Sequence, residues 1–292
     1  MHIDWAYPAA FVVGALLSIS GTALQSVLRN PLAEPYLLGT VGGASLFTTI
    51  ATLAGFSALG AWSIPAASFT GSCLSLAIVA FVAHTAERVR SDSSADPYLR
   101  SSGSAVVLAG FVTGSLTGSL QMLAVSYADD GAFTSISKWL FGNLRSSTPA
   151  SFLLGAAALS AVFGVLFSLA KRINVLELGR NEAECLGLNV KSTLFAILAS
   201  VALGTAVSVS IAGAVGFIGL IIPHAARRLT GPRMQMLLPA SAAGGGLALT
   251  AAEAVSRLLP GDIPTGVVCA VVGAPFFMWL LMSKRNGEGR DI

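Results

Sequence analysis

The sequence predicts an all-α polytopic membrane protein, and three observations predict it. The chain has 292 residues, 54% of them hydrophobic and only 11% charged, where a soluble domain carries about 25% charged residues. Its mean hydropathy is +0.77, and its apolar residues fall into runs near the ~20 residues that a helical span requires. Its 31 glycines recur inside those runs, as close helix–helix packing in lipid favours. One multi-span domain, 1–292, takes up the whole length and leaves no room for a soluble domain of ordinary size. The net charge of +3 is better explained by membrane topology than by nucleic-acid binding.

The first span is Trp5–Leu28. No positive region precedes it and the run is too long for a signal-peptide core, so no cleavable leader is expected. A polar break, Arg29–Pro35 (RNPLAEP), ends it. Its two prolines stop helix propagation, and Arg29 and Glu34 are expected to hold a tight membrane-surface turn in polar surroundings. Spans two to four are Tyr36–Phe56, Trp62–Ala86 and Ala105–Tyr127. In the loop Ala128–Ala150, the amphipathic stretch Ile136–Gly142 is expected to lie on the membrane surface. Ser151–Ala170 is the fifth span. The loop Lys171–Lys191 is expected to form one or two short helices with Leu176, Leu178, Ala183 and Leu186 as apolar contacts. Such helices suit docking of a soluble partner, the alternative being a solvated linker. Spans six to nine are Ser192–Ser210, Ile211–Leu229, Met234–Arg257 and Thr265–Met282. The seventh is the weakest, being short and glycine-rich with Pro223 and His224 near its end.

Charge placement supports this count. With nine spans and a cytoplasmic C-terminus, only Lys138, Arg145 and Arg257 of the 17 basic residues fall outside. Removing the seventh span splits the cations almost evenly between the sides, against the positive-inside rule. The first span is then expected to start outside: either the chain truly begins this way, or an earlier span is missing from this sequence.

Enzymatic chemistry is not expected. The chain has no Walker-type phosphate loop, no nucleophile elbow and no His-Glu-x-x-His pair. His2, His84 and His224 are scattered, and Cys73, Cys185 and Cys269 have no metal or disulfide spacing. His224, next to Pro223, reads as a structural helix-end residue rather than a proton carrier. Glu253 and Arg257 are four residues apart on one helix face, which suits an ion pair. A carboxylate inside the membrane is a functional candidate by default, yet one near a helix end is thin support for an ion-driven carrier.

Several segments, in order along nearly the whole chain, resemble the permease subunit of type II ABC importers for iron–siderophore, haem and cobalamin, the FecCD family. They are Gly21–Gln25 running through Arg29–Pro35 to Leu38-Gly39 and Gly43-Ala44; Gly213–His224 (GAVGFIGLIIPH) with Arg227 and Gly231; and Leu238-Pro239, Gly245, Glu253 and Arg257, followed by Ile263–Gly266 and Gly273–Phe277. Weaker matches are Leu108–Gly110, Trp139–Gly142, and Glu182-Ala183 with Leu186-Gly187. The resemblance implies two permease copies around a central path, two copies of a cytoplasmic ABC ATPase, and an extracytoplasmic substrate-binding protein. It implies a multi-pass protein of a bacterial or archaeal cytoplasmic membrane. It also implies no covalently bound cofactor, with ATP and magnesium on the partner subunit. By the same resemblance, Arg180, Asn181, Glu182, Ala183, Leu186 and Gly187 form the ATPase-coupling region. Asn30, Leu32, Gly103 and Ser104 line the inner gate, and Arg257 matches an outer-face arginine that meets the binding protein; the charge count leaves Arg145 and Lys138 as the other outer cations for that docking. Relatives open the counterpart of the first span with arginines, whereas His2–Ala6 here carries no lysine or arginine. Competing readings are a zinc/manganese-type ABC permease, which needs His or Asp ligands along the path, an ion-driven secondary carrier, and a non-transporting membrane scaffold.

Overall fold

The computed structural model describes residues 4–60, 62–91 and 102–285. These form twelve α-helices and two 3-10 turns, with no strand among the described residues. In chain order the helices are α1 (Ala6–Val27), α2 (Thr40–Leu53), α3 (Ser63–Ser91), α4 (Ser102–Val125), α5 (Asp130–Leu140), α6 (Pro149–Ser168), α7 (Ala170–Leu176), α8 (Arg180–Cys185), α9 (Val190–Ala212), α10 (Ile218–Thr230), α11 (Met234–Leu258) and α12 (Thr265–Arg285). By length and composition, α1, α3, α4, α6 and α9 can cross a membrane. The apolar helix α2 is shorter, and α10 has 13 residues, or about 20 Å of rise against the ~30 Å hydrocarbon core.

The axis of the molecule is α1, buried on nearly every side and packed against α6, α9, α10 and α11. One face of it (Leu16, Ile19, Leu24) meets Val162, Leu166, Ile197, Val201 and Leu237. The other (Ala9, Val13, Leu17) meets Leu144, Val215, Ile218 and Leu249. Small residues make such enclosure feasible. A Cβ on Gly14 would fall on the carbonyl of Gly245, and one on Gly245 would fall on the carbonyl of Gly14, so α1 and α11 cross backbone to backbone. A second group, α2, α3 and α4, joins the first through α9.

Three expectations are corrected. The seventh span does not begin at Ile211; that residue and Ala212 close α9, and the helix resumes at Ile218. Gly213 (φ +70°) and Phe217 (φ +71°) take left-handed backbone on either side of the gap, which interrupts the ladder. The second span does not start as an α-helix: Pro35–Leu38 is a 3-10 turn, and Gly39, at φ +76°, precedes α2. Of the four apolar contacts expected in the Lys171–Lys191 loop, Leu176 and Ala183 are buried, whereas Leu178 and Leu186 are exposed. Elsewhere the expected elements form. The amphipathic stretch is part of α5, whose first turn is capped by Asp129 accepting from the Ala132 N–H (2.7 Å), and the loop helices are α7 and α8.

Candidate functional site

At one end of the bundle, α1 stops at Val27 and Arg29 turns the chain with φ +49°. Asn30 then organises the break: its Oδ1 accepts from the Leu32 N–H (2.9 Å) and its carbonyl from the Ala33 N–H (3.0 Å), an Asx-type turn. Asn30 is exposed and Leu32 is 37% exposed. Beyond Ala33 the chain turns back into the molecule rather than lying on its surface. Gln25 Nε2, on α1, donates to the carbonyls of Ala33, Gly219 and Leu220 at 3.2–3.3 Å. Glu34 is not held in polar surroundings at the surface, as expected from sequence. It points inward, and its Oε1 accepts from the Phe217 N–H (2.9 Å) at the start of α10. The first N–H groups of a helix lack intrahelical acceptors and carry partial positive charge, so a carboxylate there satisfies both demands. Tyr36 Oη accepts from the Val215 N–H (3.0 Å). The two helix breaks, after α1 and before α10, are therefore bonded to each other. Of the other two residues placed at the inner gate, Gly103 and Ser104 lie on the first turn of α4, where only the backbone is described.

The proposed coupling residues sit at the same end. Arg180, Asn181, Glu182 and Ala183 lie on α8, with Leu186 and Gly187 at its end. Ala183 is fully buried and Leu186 is exposed. Arg180 pairs with Glu184 at 3.3 Å. The Gly187 N–H donates to the Glu184 carbonyl and the Leu188 N–H to the Ala183 carbonyl, with Gly187 at φ +79°; this is the Schellman stop, in which glycine fits best. Just before α8, Gly179 has φ +143°, and the position its Cβ would take is closed by the Glu182 carboxylate and lies 2.8 Å from Arg29 Nη2. The polar break after α1 thus meets the α7–α8 connection at Gly179, a junction that the sequence does not reveal.

The three cations expected on the outer side share the opposite end of the bundle, and each has an intramolecular partner. Lys138 Nζ lies 3.1 Å from Asp262 Oδ2, and Arg145 bonds the other Asp262 oxygen. Arg257 bonds Asp4, donates from Nε to Glu253 Oε1 (2.6 Å), and stands 4.8 Å above the Tyr7 ring. The expected Glu253–Arg257 pair is therefore present, and the fully buried Glu253 also accepts from Thr265 Oγ1. Asp4 and Asp262 were not singled out from sequence; their charges opposite a region rich in cations were the available signal. Hydrogen bonds from Lys138, with the positive charge of Arg145, hold the Asp262 carboxyl below its ordinary value, and the bond from Arg257 does the same to Asp4. A lowered folded pKa gives stabilisation that is complete above the unfolded value and lost as pH falls through the folded one. The thermal midpoint of the detergent-solubilised protein is therefore expected to stay level from pH 8 to about 5 and to drop below about pH 4. Asp262→Asn should remove part of that drop; an unchanged acid limb in the variant would refute the assignment.

The sequence profile of the FecCD transport family matches residues 7–283. The iron chelatin transport permease described from Helicobacter pylori is 36% identical over 279 residues, covering 95% of this chain and 80% of that protein. The hemin transport system permease HmuU of Yersinia pestis is 32% identical (95% and 80% covered), and the cobalamin import permease BtuC of Halobacterium salinarum is 34% identical (93% and 70%). A solved ABC transporter described as of metal-chelate type, in an inward-facing conformation, superposes with a TM-score of 0.81 at 30% identity, over 95% of this chain and 85% of that one.

Proposed function

The chain belongs to the FecCD transport family, and we propose that it is the membrane subunit of an ATP-driven importer carrying an iron chelate, haem or cobalamin into the cytoplasm. It is a multi-pass permease with the fold of type II ABC importers, not itself an enzyme. The observation that carries the reading is the match of one family over 7–283, together with a superposable metal-chelate transporter. In this reading a second copy of the chain completes the path, and an extracytoplasmic binding protein delivers the chelate at the Lys138–Arg145–Arg257 end. Two ATPase subunits dock on α7 and α8 from the cytoplasm, which also holds the C-terminus. The exposed Leu178 and Leu186 suit that docking, because apolar side chains at a polar surface gain by being covered. ATPase closure would move α8, and Gly179 would pass the movement to the break at Asn30 and Leu32. Glu34, Tyr36 and Gln25 would carry it on to α10.

The test is uptake into proteoliposomes holding the permease and its ATPase, with a ferric siderophore, haemin or cobalamin presented by the binding protein. Uptake of one of these is expected only with ATP and only with the ATPase subunit present. Uptake that persists without ATP and follows an imposed proton or sodium gradient would overturn the reading in favour of a secondary carrier.

A further inference from the structure

At the end of the bundle opposite the Arg29–Pro35 turn, a cavity of about 360 Å³ opens between the last turns of α2 and α9, the first turns of α3 and α6, and α5. Its walls carry hydroxyls and two indoles, Trp62 and Trp139. Most of the hydroxyls are already engaged. Thr52 Oγ1 donates to the Thr48 carbonyl (2.8 Å), Ser210 Oγ to the Val207 carbonyl (2.8 Å), and Thr148 and Ser151 cap α6 reciprocally. Two are not. Thr48 is 1% exposed, and its Oγ1 and the Ser147 Oγ are buried without a hydrogen-bond partner in the protein. Leaving a buried hydroxyl unpaired costs about 1–3 kcal/mol, so both favour a ligand that can donate to them and accept from them.

Charge narrows the chemistry. Among the described residues, Lys138 is the one ionisable residue on these walls, and Asp262 already neutralises it at 3.1 Å. An anion would find no uncompensated cation here, and a cation no free carboxylate. Size narrows it further, since pockets that enclose a ligand begin at about 300 Å³. A neutral ring bearing several hydroxyls, with an apolar C–H face to lay on an indole, meets all these conditions. Trp62 is 47% exposed at the start of α3, where indoles settle at a membrane–water boundary, so such a ring can arrive free in solution or on a lipid.

We propose that this cavity, walled by Thr48, Ser147, Trp62 and Trp139, binds a neutral polyhydroxylated ring of hexose size, either a free saccharide or the headgroup of a glycolipid. This site is separate from the break and coupling residues and does not depend on the transport reading.

The test uses the full-length permease in phosphatidylcholine nanodiscs, prepared without glycoside detergents, which would occupy the cavity. In one arm glucose or maltose is titrated while tryptophan fluorescence is recorded. In the other, the discs contain increasing monoglucosyl diacylglycerol. A saturable fluorescence change is expected in at least one arm, and the responding arm identifies the source. Trp139→Phe should remove most of the change. The double variant Thr48→Val/Ser147→Ala should bind about tenfold more weakly, as expected for losing two hydrogen bonds, while its ligand-free thermal midpoint is equal to or above that of the unmodified protein. No saturable change in either arm overturns the proposal. So does equal binding by the double variant, or an equal response to sodium citrate.

Discussion

Gly179→Val is expected to lower ATP-driven uptake by more than about tenfold while the helical bundle still assembles. The backbone of Gly179, with φ +143° and ψ +157°, lies in a region open in practice only to glycine, and a side chain forced there costs about 1–3 kcal/mol. The Cβ itself would fall on the Glu182 carboxylate and crowd Arg29. The strain can be relieved by moving α8 away from the break after α1, and that separates the two segments proposed to transmit ATPase closure. The short helix α8 lies at the edge of the bundle, so the cost stays local. Arg29→Ala removes the guanidinium without the clash and should lower uptake several-fold. Paired measurements on proteoliposomes separate the outcomes: ATP hydrolysis should continue at an appreciable rate while uptake falls. Uptake within twofold of the unmodified protein, at equal membrane abundance, would remove Gly179 from the transmission route.

Gly245→Leu is expected to prevent stable folding outright. Added volume in a packed interior typically costs about 1–3 kcal/mol when side chains can shift. Here the Cβ alone would fall on the carbonyl of Gly14 and against the Ser18 side chain, and backbone cannot yield as a side chain does, so about 3 kcal/mol is the lower expectation. Because α1 is enclosed by four helices, parting it from α11 disturbs the central packing as a whole. Gly164→Ala supplies the contrast, since nothing lies within 4 Å of the added Cβ and alanine favours helix by about 0.5–1 kcal/mol. Thermal unfolding in detergent should show loss of the transition for the first and an unchanged or higher midpoint for the second. A cooperative transition at the normal temperature for Gly245→Leu would mean that α1 and α11 do not cross as described.

Local pattern revealed the long elements well. The sequence placed the first span at Trp5–Leu28 and the structure has α1 at Ala6–Val27; the eighth, Met234–Arg257, is α11 nearly to the residue. Apolar run length and flanking charge are enough for helices whose ends are set by neighbouring residues. The seventh failed for the opposite reason. Phe217 adopts left-handed backbone although it is not glycine, and the group that binds its N–H is Glu34, 183 residues away; no window of sequence contains both. The same holds for Gly179, Arg29 and Glu182, whose convergence depends on how α1 packs against α7 and α8. In the α7–α8 loop the apolar residues were recognised, but the turn at Gly179 divides them, leaving Leu176 and Ala183 inside and Leu178 and Leu186 outside. The acids that pair with these three cations went unnoticed because Asp262 lies 124 and 117 residues from Lys138 and Arg145, and Asp4 lies 253 from Arg257.

The central place of α1 also sets an order for biogenesis. This helix leaves the ribosome before any of the helices that enclose it, yet the carbonyls of Gly219 and Leu220 that engage Gln25 are made 194 and 195 residues later. It is apolar enough to enter lipid by itself, so during synthesis it waits incompletely enclosed, with Ser18, Ser20, Thr22 and Gln25 facing lipid or the insertion machinery. A photo-crosslinker at Leu24 should therefore label lipid in nascent chains that stop after α6 and lose that label once α11 has been made. The first of these spans to be inserted is among the last to become fully enclosed, and the nascent protein is most exposed to misassembly between those two events.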